Sequence, residues 1–170
     1  MSTRGGLAVS LSARAVGESA LVAVLLGVIA HRQGFSATGA VVASLACVAV
    51  ALLSTVAHEW GHVVVARRAG LQVLALRVEG LLGGAVTRER SPSPRVELAV
   101  CLAGPAVTLF LAVAGAALAL AGVTVGLVPA VANVLALVGC LLPPSRSDAG
   151  RAWRARQDSV AQTRSATSAA

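Results

Sequence analysis

The residues best suited to chemistry in this chain are His58, Glu59 and His62, inside the stretch LLSTVAHEWGHVVVARRAG at 52–70. Four residues of helix rise ~6 Å and turn through about 400°, so His58 and His62 leave the same face. Two imidazoles so placed can bind one metal ion, and a carboxylate between them can reach a water on that ion. This is the H-E-x-x-H arrangement of zinc hydrolases. Catalytic zinc takes three protein ligands and a water whose pKa it lowers to about 7. The setting strengthens the reading. The triple sits on an apolar run, where ionisable groups are costly and usually functional. His58 and His62 precede Arg67 by nine and five residues, roughly 8–14 Å inside the boundary that arginine marks.

A third ligand has to come from elsewhere. The acids outside this helix are Glu18, Glu79, Glu89, Glu97, Asp148 and Asp158. Asp148 follows the last apolar run in CLLPPSRSDAGR, where Pro143 and Pro144 end a helix and let the chain turn back. It should emerge on the side of the bilayer near which His58 and His62 lie, which makes it the favoured third ligand. Glu97, at the start of another apolar run on the same side, is the competitor. Cys47, Cys101 and Cys140 fit no disulfide or zinc-ribbon spacing.

The elements that must position these groups are membrane helices. Of 170 residues, 56% are hydrophobic and only 12% charged, against roughly 25% charged in a soluble domain. A span needs about 20 apolar residues, and the pattern predicts four, near 15–31, 37–66, 96–120 and 123–142. The first is the weakest, and a signal peptide competes with it, because Arg4 and Arg14 precede the apolar core. All 14 basic residues are arginines, and 13 of them fall on the side that holds both predicted termini and the 67–95 loop; Arg32 alone falls on the other. That asymmetry places both termini in the cytoplasm of a bacterial plasma membrane. It accounts for the net charge of +7 without nucleic acid, for which no aromatic-rich basic patch argues either.

Two stretches alternate like strands: LAVSLSA at 7–13, and LQVLALRVEG at 71–80 continuing through AVTRE, with a turn expected around Gly83 and Gly84. An open sheet edge cannot face lipid, so these strands belong at the cytoplasmic interface. The fold class is therefore an all-α membrane protein with four transmembrane helices and a small cytoplasmic-side sheet or hairpin. Residues 1–150 form the membrane domain. A basic, disordered tail at 151–170 begins with a short interfacial helix over 151–157.

Taken in order, HEWGH at 58–62, AGPAVTLFLA from Ala103 and CLLPPSRSDAGR from Cys140 resemble the site-2 proteases, intramembrane zinc metalloproteases. The stretch from Glu79 to Val107 resembles that family's loop from a glycine pair to A-G-P. The resemblance covers roughly residues 7–156. It implies one zinc ion held by His58, His62 and Asp148, with Glu59 as the proton carrier. It also implies a substrate that is itself a membrane-spanning helix, cut near the cytoplasmic side. The chain departs from the family pattern at four places. Cys140 stands where the family has asparagine, Arg146 where it has a second proline, Ala149 where a glycine follows the aspartate, and Thr108 where an asparagine is expected. These departures bear on turnover more than on metal binding. They keep a catalytically silent zinc-binding relative as one alternative, with a zinc transporter as another.

Overall fold

The computed structural model describes residues 6–141, 148 and 150–157. Strand β1 (Ala8–Leu11) leads into helix α1 (Ala13–Arg32), followed by α2 (Ala37–Arg68), β2 (Val73–Gly80), β3 (Gly83–Arg88), α3 (Pro94–Leu120), a 3-10 turn (Thr124–Gly126) and α4 (Leu127–Leu141). Residues 150–157 are helical, as expected for the start of the tail.

Among the described residues, three helices are long and apolar enough to cross a membrane: α1, α2 and α3. α1 is fuller than its sequence suggests. Ser12 caps it by accepting from the Ala15 N–H, so the helix runs 20 residues. α2 ends where Gly70, at φ +79°, lets the Gly70 and Leu71 N–H groups close back on the Arg67 and Ala66 carbonyls. Arg67 and Arg68 sit in its last turn, where cations complement the helix dipole.

Among the described residues, the expected fourth span, 123–142, holds a 3-10 turn and the apolar helix α4. Its first residues are spent on the 3-10 turn, and α4 covers 15 residues. The cause is close packing on α3. A Cβ on Gly115 would meet the Ala130 nitrogen and the Gly126 carbonyl, so the chain hugs α3 before α4 begins. Side chains facing outward from these helices are large and apolar, including Val24, Val42, Leu53, Phe110 and Leu120. That is the surface a bilayer covers.

The sheet has the order β1-β2-β3, with β1 parallel and β3 antiparallel to β2. Both expected strand regions are present. The turn, however, lies at Leu81–Leu82, and Gly83 and Gly84 open β3 instead of forming the bend. Two side chains hold that turn. Glu18 of α1 accepts from the Leu81 N–H at 3.0 Å, and Thr55 of α2 donates to the Leu81 carbonyl at 2.8 Å. Val73, Leu76 and Val78 of β2 pack with Ala15, Val63, Ala66 and Val100 into one buried cluster, so the sheet is clamped to the arginine-bearing end of α2. The predicted chain break at Pro143 and Pro144, Arg146, Ala149 and the tail beyond 157 lie outside the described residues.

Candidate metal centre

His58, Glu59 and His62 lie on the buried face of α2, each less than a tenth exposed. α3 comes close enough to cover them because two glycines allow it. A Cβ on Gly61 would press on the Ala103 carbonyl at 2.9 Å, and a Cβ on Gly104 would overlap the Nε2 atoms of both histidines.

Asp148, 90 residues away from His58 in sequence, brings its carboxylate to the same point. Its Oδ2 lies 3.1 Å from His58 Nε2 and 3.4 Å from His62 Nε2, and the two Nε2 atoms are 3.2 Å apart. Tetrahedral zinc with bonds of ~2.0–2.1 Å holds its ligand atoms about 3.3 Å apart, so the three donors stand at the spacing one zinc ion imposes.

The surrounding hydrogen bonds orient both rings for that purpose. His62 Nδ1 is 2.6 Å from the Val100 carbonyl, which can only accept, so Nδ1 carries the proton and Nε2 presents its lone pair. His58 Nδ1 lies 2.7 Å from Thr108 Oγ1, whose own proton goes to the Gly104 carbonyl at 3.3 Å. The Thr108 oxygen therefore accepts from His58, and His58 Nε2 is likewise a lone-pair donor. Two imidazole lone pairs and a carboxylate oxygen converging at this range repel one another unless a cation lies between them. The donor set fits a zinc ion. The other oxygen of Asp148 accepts from Arg151 at 3.0 Å.

Glu59 stands beside the two histidines on α2. It lines a cavity of about 200 Å³ together with His58, Asp148, Gly84, Cys140 and Asn133. Gly84 leaves room for the carboxylate: a Cβ there would meet Glu59 Cγ at 2.7 Å and Oε1 at 2.9 Å.

The structure thus brings together the residues singled out from sequence, His58, Glu59, His62 and Asp148. It sets Glu97 apart. That carboxylate is bound by both terminal nitrogens of Arg88, at 2.5 and 3.0 Å, and by the Ser91 N–H, and it ties β3 to the start of α3. Thr108, which reads in the sequence only as a departure from the family pattern, orients a ligand ring. Because such outer partners typically carry 10–100-fold in metal affinity, Thr108→Val should weaken zinc binding by about that factor and leave the helical circular dichroism unchanged. Competition with a chelator of known affinity measures it. Sequence reasoning passed over Arg151 and Asn133. Arg151 carried a findable signal, since it stands one helical turn after Asp148. Asn133 carried a weaker one, as the single asparagine of the chain, placed inside an apolar run.

No protein-family model matches the chain. In sequence it is 38% identical to the protein named "Putative zinc metalloprotease Rip3" in two strains of Mycobacterium tuberculosis, over 64% of this chain and 31% of that protein. The chain thus spans about a third of the length of the curated relatives it matches. In structure it is similar to the site-2 protease from Methanocaldococcus jannaschii, with a TM-score of 0.55, 20% identity, and coverage of 83% of this chain and 65% of that one. The chain is an integral membrane protein with the site-2 protease fold. The resemblance found in its motifs therefore extends to a curated relative and to a solved fold.

Proposed function

We propose that this protein is a zinc-dependent intramembrane endopeptidase that cuts a membrane-spanning segment of another protein near the cytoplasmic side. The observation that carries this reading is the convergence of His58 Nε2, His62 Nε2 and Asp148 Oδ2 at 3.1–3.4 Å beside a buried glutamate. In this reading His58, His62 and Asp148 hold one zinc ion, which when bound supplies Lewis acidity toward water and a peptide carbonyl. Glu59 takes a proton from the attacking water and delivers it to the departing amine nitrogen. The apolar walls of α2 and α3 keep bulk water from the site. Both termini face the cytoplasm, following the arginine asymmetry.

A helical substrate hides its carbonyls, so it must unwind before it can be cut. Among the described residues β3 pairs with β2 on one side only. Its other edge can take an extended peptide by strand addition next to Glu59. This assigns different roles to the two glycines. A Cβ at Gly84 displaces the Glu59 carboxylate, whereas a Cβ at Gly83 meets nothing within 4 Å. Gly84→Ala should lower cleavage at least tenfold with zinc retained, and Gly83→Ala should stay within about twofold of wild type. Equal rates for the two variants reject the arrangement.

A second reading, a relative that binds zinc without cutting, draws on Cys140. Its sulfur lies within 4.8 Å of ligand atoms of both His58 and Asp148, in the lining of the same cavity. One experiment separates the two. The protein is purified in detergent, its zinc content measured, and a panel of single-pass membrane substrates incubated with it and read by mass spectrometry. Zinc with a defined cut near the cytoplasmic end of a substrate supports the peptidase. Zinc with no cut on any substrate supports the silent relative.

A further inference from the structure

The cavity beside Glu59 has a polar floor that the metal chemistry does not use. Asn133 of α4 is 1% exposed, lies in an otherwise apolar helix and lines this cavity. Its Nδ2 donates to the Pro129 carbonyl at 2.8 Å and to Ser54 Oγ at 3.0 Å. The Pro129 contact fixes which way the amide points, since a carbonyl can face only the NH₂ end. Among the described residues Asn133 Oδ1 is thereby left buried with no hydrogen-bond partner. Buried amide oxygens are almost always paired, and at membrane depth water is scarce, so an oriented, unpaired acceptor on a residue that lines the cavity is a binding feature in search of a donor.

We propose that Asn133 Oδ1 accepts a backbone N–H of the unwound substrate and so sets which residue of the membrane segment enters the site. The inference rests on the peptidase reading above and extends it to substrate choice. Ser54, which holds Asn133, lies one helical turn before His58, ~6 Å deeper in the membrane. An extended peptide advances about 3.3 Å per residue, so the N–H that meets Asn133 belongs to the residue about two places from the scissile bond on its membrane-deep side. A proline or N-methylated residue there has no N–H to give. The site therefore selects against such a residue at that one position and tolerates it one place to either side.

The test uses a synthetic membrane-spanning peptide cut by the wild-type protein. Companion peptides carry a single N-methyl group at successive positions along it. Wild type should cleave the peptide methylated two residues deep of the cut at least tenfold more slowly than its neighbours in the series. Asn133→Leu with normal zinc content should cleave the unmethylated peptide tenfold or more slowly and lose the dip at that position. A flat methylation profile in wild type overturns the proposal without any variant. So does an Asn133→Leu protein that keeps the dip. If wild type cuts no peptide, the peptidase reading fails, and fluorescence anisotropy with the same peptides still decides this one. Binding weakened by methylation at one position, and only while Asn133 is present, upholds it. Binding indifferent to both, or no binding, overturns it.

Discussion

Glu59→Gln is expected to hold zinc at wild-type stoichiometry while cleaving a membrane substrate at least 100-fold more slowly. Glutamine keeps the size of the side chain and fills the same space against Gly84, but it cannot take up a proton from water. Positioned proton transfer typically contributes 10²–10⁴-fold, which sets the scale of the loss. Zinc should stay because the ligand geometry does not pass through residue 59. His62 is aimed by the Val100 carbonyl, His58 by Thr108, and Asp148 by Arg151. Elemental analysis and a cleavage time course on one preparation check both halves. Activity within a few-fold of wild type would remove Glu59 from the proton path. Loss of zinc would make it a structural residue.

Gly104→Ala should strip the centre of metal although residue 104 offers no ligand atom. A methyl group there occupies the space of His58 Nε2 and His62 Nε2, the two nitrogens that face the ion. The helices cannot move apart to make room at low cost, because Gly61 seats α2 against the carbonyl of Ala103, the residue just before Gly104 in α3. Overpacking of this kind costs about 1–3 kcal/mol in an ordinary core. Here the strain falls on rings that must stay in register to about half an ångström, so zinc affinity should drop by 100-fold or more. Chelator competition measures it, with Gly17→Ala, whose Cβ meets nothing within 4 Å, as the control. Wild-type affinity in Gly104→Ala would mean that the two helices lie farther apart than the structure places them.

Much of the site was legible before any coordinates. The i, i+4 pair His58 and His62 needs only helical periodicity, and the apolar run around it needs only composition. Asp148 and Glu97 are expected on the same side of the bilayer, and Asp148 was favoured because Pro143 and Pro144 let its segment turn back; the structure brings Asp148 to the histidines while Arg88 holds Glu97. The glycine pair was noticed for the wrong reason. Gly83 and Gly84 read as a turn because glycine favours turns. The bend falls two places earlier because Glu18 and Thr55 grip Leu81 from two different helices, and no local pattern records that. The 3-10 turn that opens the last apolar run was not legible for a related reason: hydropathy counts residues, but the contact of Gly115 with Gly126 and Ala130 sets the backbone at Thr124–Gly126.

The sequence by itself determined the membrane class, the arginine asymmetry along the chain, and the helical pair His58 and His62 with Glu59 between them. Each of these depends on residue type and on spacing along the chain. The tertiary structure alone decided the approach of Asp148 to that pair, the closeness of α2 and α3 at Gly61 and Gly104, the tautomers imposed by Val100 and Thr108, and the unpaired oxygen of Asn133. Those depend on distances between segments 38 to 90 residues apart, which packing sets and periodicity cannot encode.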